Sequence, residues 1–156
     1  MPRLLACTLV ILAAVASLAQ PSREKIPPRF GLEADVDRYP QDSPKVALRS
    51  VLKSIGDKRI DYLLAHLAEP NYVDQQVKKI DGSFEKAVAE TSRKLNGDPE
   101  SIREMRRFLS DGEFGEPQGD VVAVTCSEIK SRKLYMRKVG ARWFLENRDG
   151  TVKEKQ

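Results

Sequence analysis

The spacing of hydrophobic positions changes along the chain. Between residues 43 and 110, apolar side chains recur every three or four positions, as they do on one face of an amphipathic helix. After Gly119 they alternate with a period of two, which is typical of strands. Helices followed by consecutive strands predict an α+β domain in which the helices cover one face of an antiparallel sheet. The same order argues against a βαβ nucleotide-binding fold.

Cap residues, prolines and glycines divide the helical region into segments. Ser43 followed by Pro44 is typical of a helix start, with an N-cap hydroxyl and a proline at the first helical position, and Gly56 ends this helix. We expect Asp57 to cap a second helix and Pro70 to stop it, because the residue before a proline is disfavoured in a helix. These two helices form a predicted hairpin. Further helices are predicted over 71–80, 83–97 and 98–111.

The strand region predicts a three- or four-stranded antiparallel meander. Its first strand, 121–126, is apolar at both alternating sets of positions and can be buried on both faces. Gly140 and Ala141 form a two-residue link with glycine first, as a type II′ hairpin turn requires. Cys126 continues the alternation of its strand, so we expect a small buried hydrophobic residue rather than a nucleophile.

The N-terminal residues have the layout of a secretory signal peptide. Arg3 precedes an apolar run from Leu4 to Leu18, and small residues lead to a polar break. We expect cleavage after Ala19, with Ala16 as a second position, and therefore an exported protein in the periplasm or outside the cell. The run is shorter than the ~20 residues that span a bilayer, so no transmembrane span remains after removal. Retention as an uncleaved anchor stays open.

The chain is 156 residues long, the length of one domain. We predict a signal peptide over 1–19, an extended polar leader over 20–42, a single α+β domain over 43–148 and a polar tail over 149–156. The leader is rich in proline and shows no regular apolar period.

The composition of the chain excludes several kinds of metal, cofactor and catalytic site. Hydrophobic residues make up 40% of the chain and charged residues 32%, as in a globular protein. One histidine and two cysteines exclude a Cys/His zinc framework and a disulfide-stapled fold. Phosphate-loop, dinucleotide and nucleophile-elbow motifs are missing from the sequence. We therefore expect neither a metal nor a cofactor.

Positive charge is concentrated near the C-terminus. Residues 130–148 contain seven basic side chains and one acidic side chain, Glu146. Candidate residues for an anion-binding surface are Lys133, Arg137 and Arg142, and their partner would be an anionic envelope component or a protein. Export argues against nucleic acid. The alternative is a solvated sheet face whose charge is complemented by the acidic run 111–120.

His66 is the only histidine, and it shares a helical row with Tyr62, away from the main apolar face. An imidazole beside a phenol can bind an anion or move a proton, which makes Tyr62 and His66 the candidate catalytic residues. The plainer interpretation is a partly exposed helical histidine with no catalytic role.

Two stretches of the sequence carry a family resemblance. The helical hairpin from Pro44 to Leu67 and the terminal Gly140-Ala141-Arg142-Trp143-Phe144-Leu145 make residues 43–148 similar to the nuclear transport factor 2-like superfamily. The resemblance implies an α+β cone with a long curved sheet and three main helices, whereas residues 71–110 predict further helices. In enzymes of that superfamily a cavity-facing Asp, His or Tyr does acid–base work. Asp61, Tyr62, His66 and Asp74 are of these types.

These patterns favour an exported bacterial protein that acts as a non-enzymatic binding or scaffold module of the cell envelope. The alternative is a small lyase or isomerase with an acid–base pocket near His66.

Overall fold

The computed structural model describes residues 26–148. The predicted signal peptide, its cleavage position and the predicted C-terminal tail lie outside these residues. The described part has five helices followed by a four-stranded antiparallel sheet, which confirms the predicted α+β arrangement. The helices are α1 (Pro44–Gly56), α2 (Ile60–Tyr62) with a π-helical segment (Leu63–Leu67), α3 (Pro70–Lys79), α4 (Phe84–Gly97) and α5 (Pro99–Ser110). The strands are β1 (Glu113–Phe114), β2 (Val121–Thr125), β3 (Leu134–Val139) and β4 (Arg142–Glu146).

Three helix starts that the sequence predicts are present with their caps. The Ser43 hydroxyl accepts from the Val46 amide, the Ser83 hydroxyl accepts from the Lys86 amide, and the Asp98 carboxylate accepts from the Ser101 amide. Each side chain satisfies an amide that the first helical turn would otherwise leave without an acceptor. Local sequence is therefore sufficient to fix where α1, α4 and α5 begin.

The predicted cap of the second helix is wrong. Arg59, not Asp57, occupies the N-cap position of α2, because Lys58 adopts a left-handed conformation with φ +58° and delays the helix. The Asp57 carboxylate instead accepts hydrogen bonds from Arg38 and from the Tyr39 hydroxyl. The partners of Asp57 are thus about twenty residues earlier in the chain.

The sheet is a simple meander with strand order β1-β2-β3-β4. Gly140 has φ +60° in the β3–β4 turn and Ala141 does not have a positive φ, as the predicted type II′ turn requires. The register pairs Val122 with Met136 and Val124 with Leu134, and these four side chains are buried. They pack on residues of α1 and α5, so the core lies between helices and sheet.

The opposite face of the sheet is only partly covered. Alternate residues of β2 are half-buried rather than buried, so this strand does not have the two buried faces that its composition allows. Cys126, just after β2, is 5% exposed and belongs to the core, which confirms the sequence interpretation.

Residues 26–42, here called the N-terminal strap, pack against the domain. Tyr39 and Gln41 are buried. The Gln41 side-chain amide donates to the Trp143 carbonyl at 2.8 Å, and the Trp143 amide donates to the Gln41 carbonyl at 3.0 Å. Near the start of the strap, the Phe30 ring stacks on Phe84 with centroids 4.1 Å apart. The strap is polar, as expected for the leader, but it contributes to the core.

Within residues 26–148, none of the helices combines the length and the apolar character needed to cross a membrane.

Candidate functional site

The two candidate catalytic side chains lie at the junction of α2 and the π-helical segment. In that segment the Ala68 amide donates to the Leu63 carbonyl at 2.8 Å, five residues back. The wider turn packs against α1, α3 and β4. His66 is 1% exposed and Tyr62 is 3% exposed. The prediction of a partly exposed His66 is therefore wrong, because neighbouring elements cover this row of the helix.

The surroundings of His66 favour the neutral imidazole. Its Nε2 lies 2.9 Å from the Leu32 carbonyl oxygen, which can only accept, so Nε2 carries the proton. Its Nδ1 is buried and has no hydrogen-bond partner within residues 26–148. Burial lowers the pKa of His66 below its ordinary value, and the positive charges of Arg142 and Arg29 act in the same direction, opposed by the Leu32 carbonyl.

Tyr62 also makes contacts that account for its position. Its hydroxyl accepts from the Asp35 backbone amide at 2.8 Å, and its ring lies 4.5 Å from Tyr39 and 5.0 Å from His66, centroid to centroid. Burial raises the pKa of the Tyr62 phenol. Within the described chain, no carboxylate hydrogen-bonds to His66. Tyr62 and His66 are adjacent, as expected, but both anchor the strap.

Asp61 and Asp74 are the carboxylates that could have completed an acid–base site with His66, but each forms an ion pair with an arginine instead. Asp61 forms an ion pair with Arg59, with N and O atoms 2.9 Å apart. Asp74 pairs with Arg29 of the strap. No group of three or more His, Cys, Asp or Glu side chains among residues 26–148 is arranged to hold a metal ion.

The three candidate anion-binding residues line three different cavities. Lys133 lines a cavity between the helices and the sheet, Arg137 a polar one beside Glu69, and Arg142 a groove along the strap. Arg137 pairs with Glu146 at 2.9 Å, and Arg142 donates to the Gln41 side chain at 3.3 Å. The basic cluster of the sequence is thus divided among separate environments.

The first of these cavities, here called the interlayer cavity, is a half-open space of about 400 Å³. It lies where β3 begins and β4 ends, beneath α4 and α5. Its floor is apolar and is drawn from several elements: Val51, Leu63, Leu95, Met105, Phe108 and Leu145. Neither Tyr62 nor His66 lines it. Sequence reasoning missed this cavity because each floor residue, taken singly, has the pattern of an ordinary core position.

The rim of the interlayer cavity is basic. Of the described residues, four cationic side chains and two carboxylates, Glu104 and Glu146, line it. Three cations have carboxylate partners: Lys94 with Glu90 at 2.7 Å, Arg132 with Glu104 at 3.0 Å and Arg148 with Glu146 at 2.8 Å. The fourth is Lys133. An apolar floor below a cationic rim can hold an apolar molecule and attract negative charge to its mouth.

Comparison of the chain with family models, curated proteins and solved structures finds no match.

Proposed function

We propose that this chain is an exported, non-enzymatic binding module of a bacterial cell envelope, and that its ligand is a small molecule whose apolar part is held in the interlayer cavity. One observation carries the proposal: a half-open space of about 400 Å³ whose floor is built from apolar side chains of both layers. Ligand pockets in proteins are typically concave, mostly apolar and about 300–1,000 Å³ in volume.

The physical driving force is burial of hydrocarbon. Val51, Leu63 and Phe108 of the floor are at most 5% exposed, so the cavity wall is formed by the core itself. Each methylene group that a ligand moves from water into such surroundings contributes about 0.8 kcal/mol. Polar side chains stand at the rim, so a polar end of the ligand can remain hydrated while its apolar end is buried.

An acid–base reaction at His66 is not part of the proposal. The contacts of His66 with Leu32 and of Tyr62 with Asp35 give both side chains a structural role. A substrate in the interlayer cavity would not meet either of them, since neither lines it.

Membership in the nuclear transport factor 2-like superfamily remains a proposal. The helices around α1 and α2 and the terminal meander support it, because both features are in the order that the resemblance implies. Two features depart from what the resemblance implies, which is a long curved sheet and three main helices. The sheet of the described chain has four strands, and the further helices α3, α4 and α5 occupy residues 70–110.

Export is supported by the sequence pattern of residues 1–19. We expect the mature protein recovered from an envelope or secreted fraction to begin at Gln20, as read by mass spectrometry of its N-terminal peptide. A full-length chain with Met1 in the cytoplasmic fraction would contradict export.

The binding proposal is tested with a neutral fluorescent probe, N-phenyl-1-naphthylamine, which brightens in apolar surroundings. We expect saturable binding to the protein, weakened about tenfold or more by Thr91→Phe, because Thr91 lines the cavity and a larger side chain fills it. Ala89→Phe on the exposed side of the same helix is the matched control and should bind as the native protein does. Thermal unfolding of each variant verifies that it is folded.

The proposal fails if the native protein does not bind the probe saturably. It also fails if a folded Thr91→Phe variant binds as tightly as the Ala89→Phe control, since the probe would then lie elsewhere.

A further inference from the structure

Lys133 differs from the other cations of the rim. It is exposed beside Leu134, which is buried in the floor region of the interlayer cavity. Within residues 26–148 its ammonium group has neither a hydrogen-bond nor an ion-pair partner, whereas Lys94, Arg132 and Arg148 each contact a carboxylate. Among the residues that the structure describes, one rim charge is therefore left without a partner and can meet a ligand.

We propose that the ligand of the interlayer cavity is a single-chain carboxylate, with its hydrocarbon chain on the apolar floor and its carboxylate against Lys133 at the mouth. This inference rests on the proposed function and specifies its ligand class.

The balance of charge favours a head group with one negative charge. Glu104 and Glu146, the carboxylates of the rim, are already neutralised by arginines, so they do not compensate Lys133. A phosphate monoester carries nearly two charges and is usually held by several donors. A single ammonium group without a partner among residues 26–148 matches a carboxylate, and the exposed mouth lets both charged groups keep much of their hydration.

The C-terminal residues 149–156 are the competing occupant, because they follow Arg148 of the rim. Their sequence, Asp149-Gly150-Thr151-Val152-Lys153-Glu154-Lys155-Gln156, offers Val152 as its one aliphatic side chain. Such a segment matches an apolar floor poorly. If a chain ending at Arg148 binds decanoate and the full chain does not, the tail is the occupant and the proposal is overturned.

The experiment compares two probes of equal chain length, decanoate and 1-decanol, as competitors of N-phenyl-1-naphthylamine at neutral pH and low ionic strength. For the native protein we expect decanoate to bind roughly fivefold more tightly than decanol, the effect of one partly exposed ion pair. Lys133→Met keeps the length of the side chain and removes its charge, so it should abolish the preference for decanoate over decanol. Added salt should reduce the preference as well.

Lys130→Met is the matched control, because Lys130 is an exposed lysine three residues away that does not line the cavity. It should keep the fivefold preference. Equal binding of decanoate and decanol to the native protein, or a preference that persists in Lys133→Met, overturns the inference while leaving the proposed function intact. Failure of both competitors and of the fluorescent probe is instead the failure of the proposed function.

Discussion

His66 shows how one residue couples the strap to the helical layer. The imidazole donates to Leu32 of the strap, and its Nδ1 has no acceptor or donor nearby within the described residues. A proton on Nδ1 would create a buried cation near Arg29 and Arg142, and among the described residues the negative charge of Glu33 opposes their effect. Burial of His66 in the folded domain therefore opposes its protonation, although the Leu32 carbonyl favours it.

This opposition predicts a loss of stability in mild acid. The pKa of His66 is lowered in the folded state, so as pH falls the unfolded chain takes up this proton first, near the ordinary pKa of about 6.5. The contribution of neutral His66 is therefore complete above about pH 6.5 and lost below it, by at most about 1.4 kcal/mol per pH unit. Urea unfolding at pH 7.5 and pH 5.5 measures it.

The control is His66→Gln, which retains an amide donor for the Leu32 carbonyl but does not titrate. We expect its free energy of unfolding to change less between the two pH values than that of the native protein. An identical pH dependence in both proteins would show that His66 is not held neutral by burial.

Single residues differ in how far sequence alone can place them. The core position of Cys126 could be predicted because its neighbours in the same strand determine it. The burial of His66 could not, because the residue that covers its ring nitrogen, Leu32, is 34 positions earlier in the chain. The cap role predicted for Asp57 was wrong for the same reason, since its partners Arg38 and Tyr39 belong to the strap.

At the scale of elements, local signals were sufficient where the structure depends on local contacts. The caps at Ser43, Ser83 and Asp98 lie within three residues of the amides that they satisfy. The π-helical segment and the strap depend on tertiary packing, so no spacing of apolar residues indicated them.

The β3–β4 turn gives a prediction at this scale. Gly140 has φ +60°, and apart from its chain neighbours no atom of the described residues lies within 4 Å of the position that a Cβ would occupy, so the cost of a side chain there is one of backbone conformation. Gly140→Ala should lower the free energy of unfolding by roughly 1–2 kcal/mol, as measured by urea denaturation.

Gly56 provides the matched comparison for that turn. A Cβ at this position would also meet open space, but Gly56 ends α1 without a positive φ. Gly56→Ala should leave the stability unchanged or increase it, because alanine favours helix. If both alanine variants lose the same stability, the left-handed conformation at Gly140 is not what requires glycine.

At the scale of the whole molecule, the fold places in separate environments the basic residues that lie close together in the sequence. Seven basic residues lie within positions 130–148, yet Lys133, Arg137 and Arg142 line three different cavities. The α+β class and the meander could be predicted from periodicity. The interlayer cavity could not, because its lining comes from both layers and depends on how helices and sheet are placed in three dimensions.

The central claim is that the interlayer cavity binds an apolar ligand, and titration of the fluorescent probe into the native protein and the Thr91→Phe variant tests it most directly. The account predicts saturable binding to the native protein and a loss of about tenfold or more in the folded Thr91→Phe variant, with Ala89→Phe unchanged. Equal binding by all three proteins, or no saturable binding by the native protein, would contradict it.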